Sequence, residues 1–177
     1  MITFKTQLVV LPLLALQMFS TVDAFHREIP QPVRISKEDT RLTEIRQALR
    51  ILGRDEKYAN DLFLSAQVAK MDPVKWACNI ETESNFKIDA KSNKNYKGLG
   101  QTPKAVMKTG YEVGDLVYAA CIYNDKLKFT KGDHHLALAM YKGGNNPAAH
   151  KCANKVEDLY AKVKSKINEE NKLKEKV

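Results

Sequence analysis

Residues 72–83 read DPVKWACNIETE, and this stretch predicts a helix with an acidic side chain on its apolar face. The pair Asp72-Pro73 combines a residue type that caps helices with one that suits the first helical position. Trp76, Ile80 and Glu83 follow at i, i+4 and i+7, so they share one side of the helix. The pattern therefore predicts a core-facing stripe that ends in a carboxylate.

Glu83 differs from its neighbour Glu81 in the direction that its side chain takes. Glu81 lies about 140° from Trp76 around a 3.6-residue helix, where it can reach solvent. Burying an ionised carboxylate without a partner is costly, so a glutamate on an apolar face tends to hold its proton near neutral pH. A protonated carboxyl is what general-acid cleavage of a glycosidic bond requires. The alternative is that Glu83 lies at the end of the helix and pairs with a nearby lysine.

Helical spacing of apolar residues recurs along the chain and predicts a mainly α fold. Further helices are expected at about 41–52, 58–70, 115–128, 134–142 and 150–163. The segment 87–101 is polar and rich in Asn, Lys and Gly, which favours a loop with a small β element after the helix that carries Glu83. No other segment alternates long enough to predict a sheet.

Residues 1–24 have the layout of a cleavable export signal. A lysine precedes an apolar run over 8–19, and small residues precede the expected cleavage point. The run is interrupted by Pro12 and Gln17 and is shorter than the roughly 20 apolar residues that a membrane span needs. We therefore expect an exported protein, in the periplasm or the extracellular envelope, with no stable membrane span after cleavage.

The rest of the chain has the length of one ordinary domain, since domains are roughly 100–200 residues long. We expect an N-terminal arm and first helix over 25–57, the main domain over 58–163, and a charged, flexible tail over 164–177. The formal net charge of +8 favours an anionic polymer as partner, although charge alone does not choose among cell-wall polymers, membranes and nucleic acid.

Cysteine and histidine usage constrains redox and metal chemistry. Export makes one disulfide plausible among Cys78, Cys121 and Cys152, and the sequence does not choose the pair. The isolated pair His134-His135 lies in a Gly-Asp loop, so we expect solvent-exposed loop residues there and no metal site.

Two segments resemble the signature of the soluble lytic transglycosylase family. The first matches the pattern E-S-x-F-x-x-x-A-x-S … G-L-M-Q at Glu83, Ser84, Phe86, Ala90, Ser92, Gly98, Leu99 and Gln101. The second, ALAMYKGG at 137–144, is similar to the family's A-L-A-A-Y-N-x-G segment. The resemblance covers about residues 58–163 and implies a lysozyme-like α-helical domain.

The chain departs from the family pattern in three places. Gly100 stands where the family has Met, only Thr102 separates Gln101 from Pro103, and Lys142 stands where Asn is usual. We therefore expect the wall of the sugar cleft to be remodelled.

The resemblance implies cleavage of bacterial peptidoglycan without metal or organic cofactor. Glu83 would protonate the oxygen between N-acetylmuramic acid and N-acetylglucosamine, and then act as base on the muramyl C6 hydroxyl. That hydroxyl attacks C1 and gives a 1,6-anhydro sugar. No second carboxylate is needed, whereas ordinary glycosidases place one about 5–5.5 or 6.5–9.5 Å away.

Four matched or neighbouring polar residues receive roles on the same basis. Ser92 and Gln101 would bind the sugar or its acetamido group, or else stabilise the loop. Tyr141 would place its hydroxyl near Glu83 or the substrate, or else be a core tyrosine. Ser84 would orient the carboxyl or cap the helix end.

Aromatic residues are candidates for stacking on a sugar. Tyr96, in the polar loop, is the better cleft candidate, whereas Trp76 is better explained as a core residue because it shares the buried stripe.

The resemblance also implies peptidoglycan glycan strands as the partner of a monomeric protein. A bare catalytic domain behind a signal resembles the small members that open the wall for secretion, conjugation or pilus machines. A goose-type muramidase that hydrolyses the same bond is one alternative, and a non-catalytic wall-binding or assembly module is another. A nucleic-acid binder has only the charge in its favour.

Overall fold

The structure is a computed structural model that describes residues 40–91, 96–103 and 112–175. The predicted export signal, Ser92 and most of the N-terminal arm lie outside these ranges. In the described part the chain is mainly helical with one small sheet, which confirms the predicted fold class. The helices are α1 (Thr40–Ile51), α2 (Ala59–Ala69), α3 (Pro73–Ser84), α4 (Glu112–Phe129), α5 (His134–Lys142) and α6 (Pro147–Lys174), and a 3₁₀ turn spans Glu56–Tyr58.

Helix α3 begins and ends at local signals. The Asp72 carboxylate accepts hydrogen bonds from the backbone N–H groups of Val74 and Lys75, at 2.9 and 3.0 Å. At the other end Asn85 takes a left-handed conformation, with φ of 52°, and its N–H donates to the carbonyl of Glu81. Glu83 therefore lies in the last turn of a helix whose length is fixed by its own sequence.

The apolar stripe of α3 forms the middle of the core. Trp76 and Ile80 are fully buried, as predicted for Trp76. The Trp76 indole N–H donates to Ser65 of α2 at 2.9 Å, and its ring lies 5.9 Å from that of Tyr123 and 6.4 Å from that of Tyr141. Because these partners belong to α2, α4 and α5, one indole ring holds α3 in register with three helices.

The predicted β element is a two-stranded antiparallel sheet of β1 (Tyr96–Lys97) and β2 (Thr102–Pro103). The connecting turn needs positive φ at Gly98 and at Gln101, at 83° and 48°. Thr102 donates its hydroxyl proton to the buried carboxylate of Asp115 in α4 at 2.9 Å. The turn is thereby fixed to α4.

The charged C-terminal segment is helical rather than flexible, so the predicted tail over 164–177 is wrong as far as Lys174. Ile167 lies four residues after Val163 and continues the buried stripe of α6. Gln47 of α1 donates to Asn171 at 2.8 Å, and Lys164 pairs with Glu44 at 2.8 Å. The acids and bases of this segment lie on the remaining faces of a docked helix.

Helix α1 packs on α2, α3 and α6, so the predicted boundary between residues 57 and 58 does not separate two units. Among the described helices, none is long and apolar enough to cross a membrane.

The three cysteines are free, and the predicted disulfide is not formed. Cys78 is fully buried in α3, whereas Cys121 and Cys152 lie partly exposed on α4 and α6. The histidine pair is not in a loop: His134 and His135 begin α5, and the half-buried His135 stacks on His150 of α6.

Candidate active site

An open groove of about 280 Å³ lies beside the last turn of α3. Asn85 and Phe86 are successive left-handed residues, with φ of 52° and 57°, and they turn the chain back beside the helix. Phe86 is buried and packs on Tyr58 with ring centroids 5.3 Å apart, which anchors this bend. The groove is lined by Glu83, Ser84, Asn85, Lys87, Ala90, Lys91 and Gln101.

Glu83 forms an ion pair with Lys142, the residue that departs from the family pattern. The Lys142 ammonium lies 2.6 Å from Glu83 Oε1, and the two side chains are 6% and 14% exposed. Apart from this ammonium, Oε1 meets no hydrogen-bond donor in the described part of the chain. The lysine partner considered from the sequence therefore exists, but it comes from α5 rather than from the end of α3.

Lys142 also donates a hydrogen bond to the hydroxyl of Thr82 at 2.8 Å. Burial lowers the pKa of Lys142, and the charge of Glu83 and the hydrogen bond to it act in the opposite direction. Because the ammonium has left bulk water, this ion pair belongs to the interior rather than to the surface.

Tyr141 fixes the turn that closes the groove. Its hydroxyl donates to the carbonyl of Gly100 at 2.6 Å, and its ring meets those of Trp76 and Tyr123. Burial raises the pKa of Tyr141 well above its usual range, and the charge of Glu83 acts in the same direction. The ring packs against the core and the hydroxyl donates to the Gly100 carbonyl, which matches the core-tyrosine alternative.

Gly100 permits this close approach. A Cβ atom at Gly100 would overlap the Cβ of Ala119 in α4 and would lie 3.4 Å from the Tyr141 hydroxyl. A side chain as large as the family's Met therefore has no room here, and the departure reflects a turn that lies directly on α4.

Gln101 and Ser84 line the groove and are tied to the backbone. The Gln101 amide donates to the carbonyls of Ala90 and Gly98 at 3.0 and 2.9 Å, which matches the loop-stabilising alternative. The Ser84 hydroxyl is buried and donates to the carbonyl of Ile80, four residues earlier in the same helix, at 3.3 Å, whereas the C-cap of α3 is Asn85.

The stacking candidate Tyr96 is 40% exposed on β1 and is not among the residues that line the groove. Ser92 lies outside the described residues. The structure thus brings together Glu83, Ser84 and Gln101, with Tyr141 behind them.

Two buried polar residues near the site were not identified from the sequence. Asp115 is 4% exposed, binds Thr102 and Gly100, and has its pKa raised by burial. Asn79 lies one turn before Glu83, is fully buried, and has no hydrogen-bond partner for its amide in the described part of the chain. A polar residue on an apolar helix face was the available signal in both cases.

The described residues contain no group of three or more histidine, cysteine or acidic side chains that could hold a metal ion. Comparison with protein-family models, with curated proteins and with solved structures finds no match to this chain.

Proposed function

We propose that the protein is a lytic transglycosylase that cleaves the β-1,4 bond between N-acetylmuramic acid and N-acetylglucosamine in peptidoglycan. The observation that carries this proposal is the position of Glu83, a mostly buried carboxyl at a groove whose described lining has no second acidic residue. Asp89, the nearest other acid of the bend, is exposed and is not part of that lining.

A single carboxyl restricts the glycosidic chemistry. Hydrolysis with retention or inversion uses a second carboxylate as nucleophile or base. Internal attack needs none: Glu83 gives its proton to the bridging oxygen as the C1–O4 bond breaks, and then takes the proton of the C6 hydroxyl as the C1–O6 bond forms. The open groove, and the presence of a single acid in its described lining, support this route.

The substrate class fits the charge around the groove. Lys87 and Lys91 line it and are exposed, and peptidoglycan carries lactyl-peptide carboxylates beside the scissile bond. Exposed lysines attract such a polymer by long-range electrostatics, which salt weakens. The same proposal includes export to the periplasm or the envelope. It also includes a role in opening the wall for a secretion, conjugation or pilus machine.

The test is incubation of the protein with purified sacculi, followed by mass analysis of the released muropeptides. Products that lack one water and have no new reducing end are expected from the wild type and not from Glu83→Gln. Glu81→Gln is the matched control, because Glu81 lies on the same helix, is equally exposed and does not line the groove. Products with reducing ends would instead identify a muramidase.

A non-catalytic wall-binding module is a second candidate, favoured by the ion pair that occupies Glu83 Oε1. Cosedimentation with sacculi separates the two. A binding module releases no muropeptide and binds sacculi equally well as wild type and as Glu83→Gln, whereas the enzyme releases anhydro products.

A further inference from the structure

Lys142 is a lysine whose ammonium is almost withdrawn from solvent. Its side chain is 6% exposed, and Nζ lies 2.6 Å from Glu83 Oε1 and 2.8 Å from Thr82 Oγ1. Lysine ammonium groups are strongly hydrated and are rarely buried unless they are paired. The carboxylate of Glu83 and the hydroxyl of Thr82 therefore replace part of the hydration shell of Lys142.

The contact between Lys142 and Glu83 bears on the acid chemistry proposed for Glu83. An ammonium in contact with a carboxyl group stabilises the ionised form, because the opposite charge lies within a few ångströms. General-acid chemistry needs the other form, in which the carboxyl carries a proton. Lys142 therefore opposes the first step of the proposed reaction.

We propose that Lys142 is a positioning residue that fixes the Glu83 carboxyl beside the groove through their ion pair and thereby lowers the upper pH limit of cleavage. This inference rests on the proposed transglycosylase function. The proton that Glu83 gives to O4 is returned from the C6 hydroxyl, so one turnover leaves the number of protons on the pair unchanged. The cation of Lys142 instead affects the pH above which the first step of the reaction is lost.

Other charged and titratable groups surround the pair without replacing Lys142. From α6, the partly exposed thiol of Cys152 faces Lys142. From α4, Asp115 lies behind the Gly100 turn, where its carboxylate accepts from the Gly100 N–H at 3.4 Å. Tyr141 keeps its proton because its pKa is well raised, and the groove residues Lys87 and Lys91 are exposed. In the described part of the chain, Lys142 is the cation in ion-pair contact with Glu83.

The comparison with the resembled pattern makes the same point. That pattern has Asn at this position, and an amide is a neutral hydrogen-bond donor. Asn would hold the carboxyl in place without favouring its ionised form. Lys142→Asn is therefore the informative substitution, and Lys142→Met removes both the charge and the hydrogen bond.

The experiment is the pH profile of kcat/KM for release of anhydro muropeptides. Loss of the cation in Lys142→Asn and Lys142→Met should move the upper pH limit of activity upward by roughly one to three units, the usual effect of an opposite charge on a carboxyl. Lys142→Arg keeps a cation and should keep the wild-type limit. Arg54→Met is the matched control, because it removes the cation that pairs with Glu81 on the same helix and should leave the limit in place.

The outcomes separate this inference from the proposed function. Anhydro products with the same upper pH limit in all four variants would overturn the role of Lys142 and leave the function standing. Absence of anhydro products from the wild type would overturn the function. In that case ¹³C NMR titration of the Glu83 carboxyl, in wild type and Lys142→Asn, decides the inference: a midpoint that rises without the lysine supports it, and an unchanged midpoint refutes it.

Discussion

Glu81 and Glu83 lie two residues apart on α3, and their side chains are equally exposed, at 14% each. Glu81 uses both oxygens to accept from the Arg54 guanidinium, at 2.8 and 2.7 Å, and so ties the segment after α1 to α3. Glu83 uses Oε1 to meet a single ammonium and lines the groove. Exposure therefore does not distinguish a structural carboxylate from the one that we propose to react.

The difference lies in the partner of each carboxylate. A bidentate guanidinium fixes a carboxylate in both position and charge, and arginine does not release its proton. A lysine ammonium is a point charge on a flexible stem, and burial makes its proton easier to lose. The expectation that Glu81 reaches solvent was wrong, because Arg54 comes from the loop after α1 to cover it.

Exchange of each glutamate for glutamine should separate the two roles most strongly. Glu83→Gln should lower the rate of muropeptide release by roughly 10²–10⁴-fold, the usual worth of a general acid, with little change in urea unfolding. Glu81→Gln should instead lower the free energy of unfolding by about 1–2 kcal/mol, because one charged hydrogen bond is lost at a partly exposed pair. Equal rate losses in the two variants would contradict the division of roles.

The turn beside the groove lies directly on α4, where Gly100 meets Ala119. Gly100→Ala should lower the free energy of unfolding by about 1–3 kcal/mol, because the added methyl overlaps the Ala119 side chain. Urea unfolding of Gly100→Ala, Ala119→Gly and the double variant measures the coupling. We expect the double variant to be more stable than the sum of the two single effects predicts. If it is not, the overlap is relieved elsewhere in the structure.

The hydroxyl of Tyr141 should have a smaller effect. Tyr141→Phe removes the donor to the Gly100 carbonyl and should cost about 0.5–1.5 kcal/mol of unfolding free energy. Tyr123→Phe, which removes a hydroxyl 2.9 Å from His134 on the far side of the same aromatic cluster, is the control for loss of a buried hydroxyl. If Tyr141 only fixes the turn, the ratio of activity to folded protein is unchanged in Tyr141→Phe.

Cys78 gives the mildest test of the Glu81 side of α3. Burial raises the pKa of Cys78 from 9.0 to about 12, and the charge of Glu81 adds to the effect. The unfolded chain loses this proton first, so the contribution to stability is complete below pH 9 and is lost as the pH rises toward 12. Between pH 8 and 10 the unfolding free energy of wild type should therefore fall by about 1 kcal/mol more than that of Cys78→Ala. An equal fall in unfolding free energy for wild type and Cys78→Ala would contradict this role of Cys78.

The local features of the site were predictable because their causes lie within a few residues. Asp72-Pro73 predicted the start of α3, and the i, i+4, i+7 stripe predicted that Trp76 is buried and that Glu83 shares its face. The polar composition of 87–101 predicted the small β element. These features depend on capping and on helical periodicity, which the sequence states directly.

The partners of the two glutamates were not predictable, because each comes from a distant segment. Arg54 and Lys142 reach α3 only after α1 and α5 have docked, and helical period does not report docking angles. The charged composition of the C-terminal segment predicted a flexible tail, but the segment is helical. The spacing of the buried residues Val163 and Ile167 indicated a helix more reliably than the density of charge.

The long helix α6 has a consequence for the order in which the domain forms. Its last turns bind α1, and the hydrogen bond from Gln47 to Asn171 joins residues 124 positions apart. Closing so long a loop costs conformational entropy, and this cost comes before the contacts that compensate it have formed. Contacts between such distant residues therefore slow folding. During synthesis α1 is made before α6, and α1 also packs on α2 and α3, which are made earlier than α6. The contacts between α1 and the last turns of α6 can therefore form only after the intervening helices have been made.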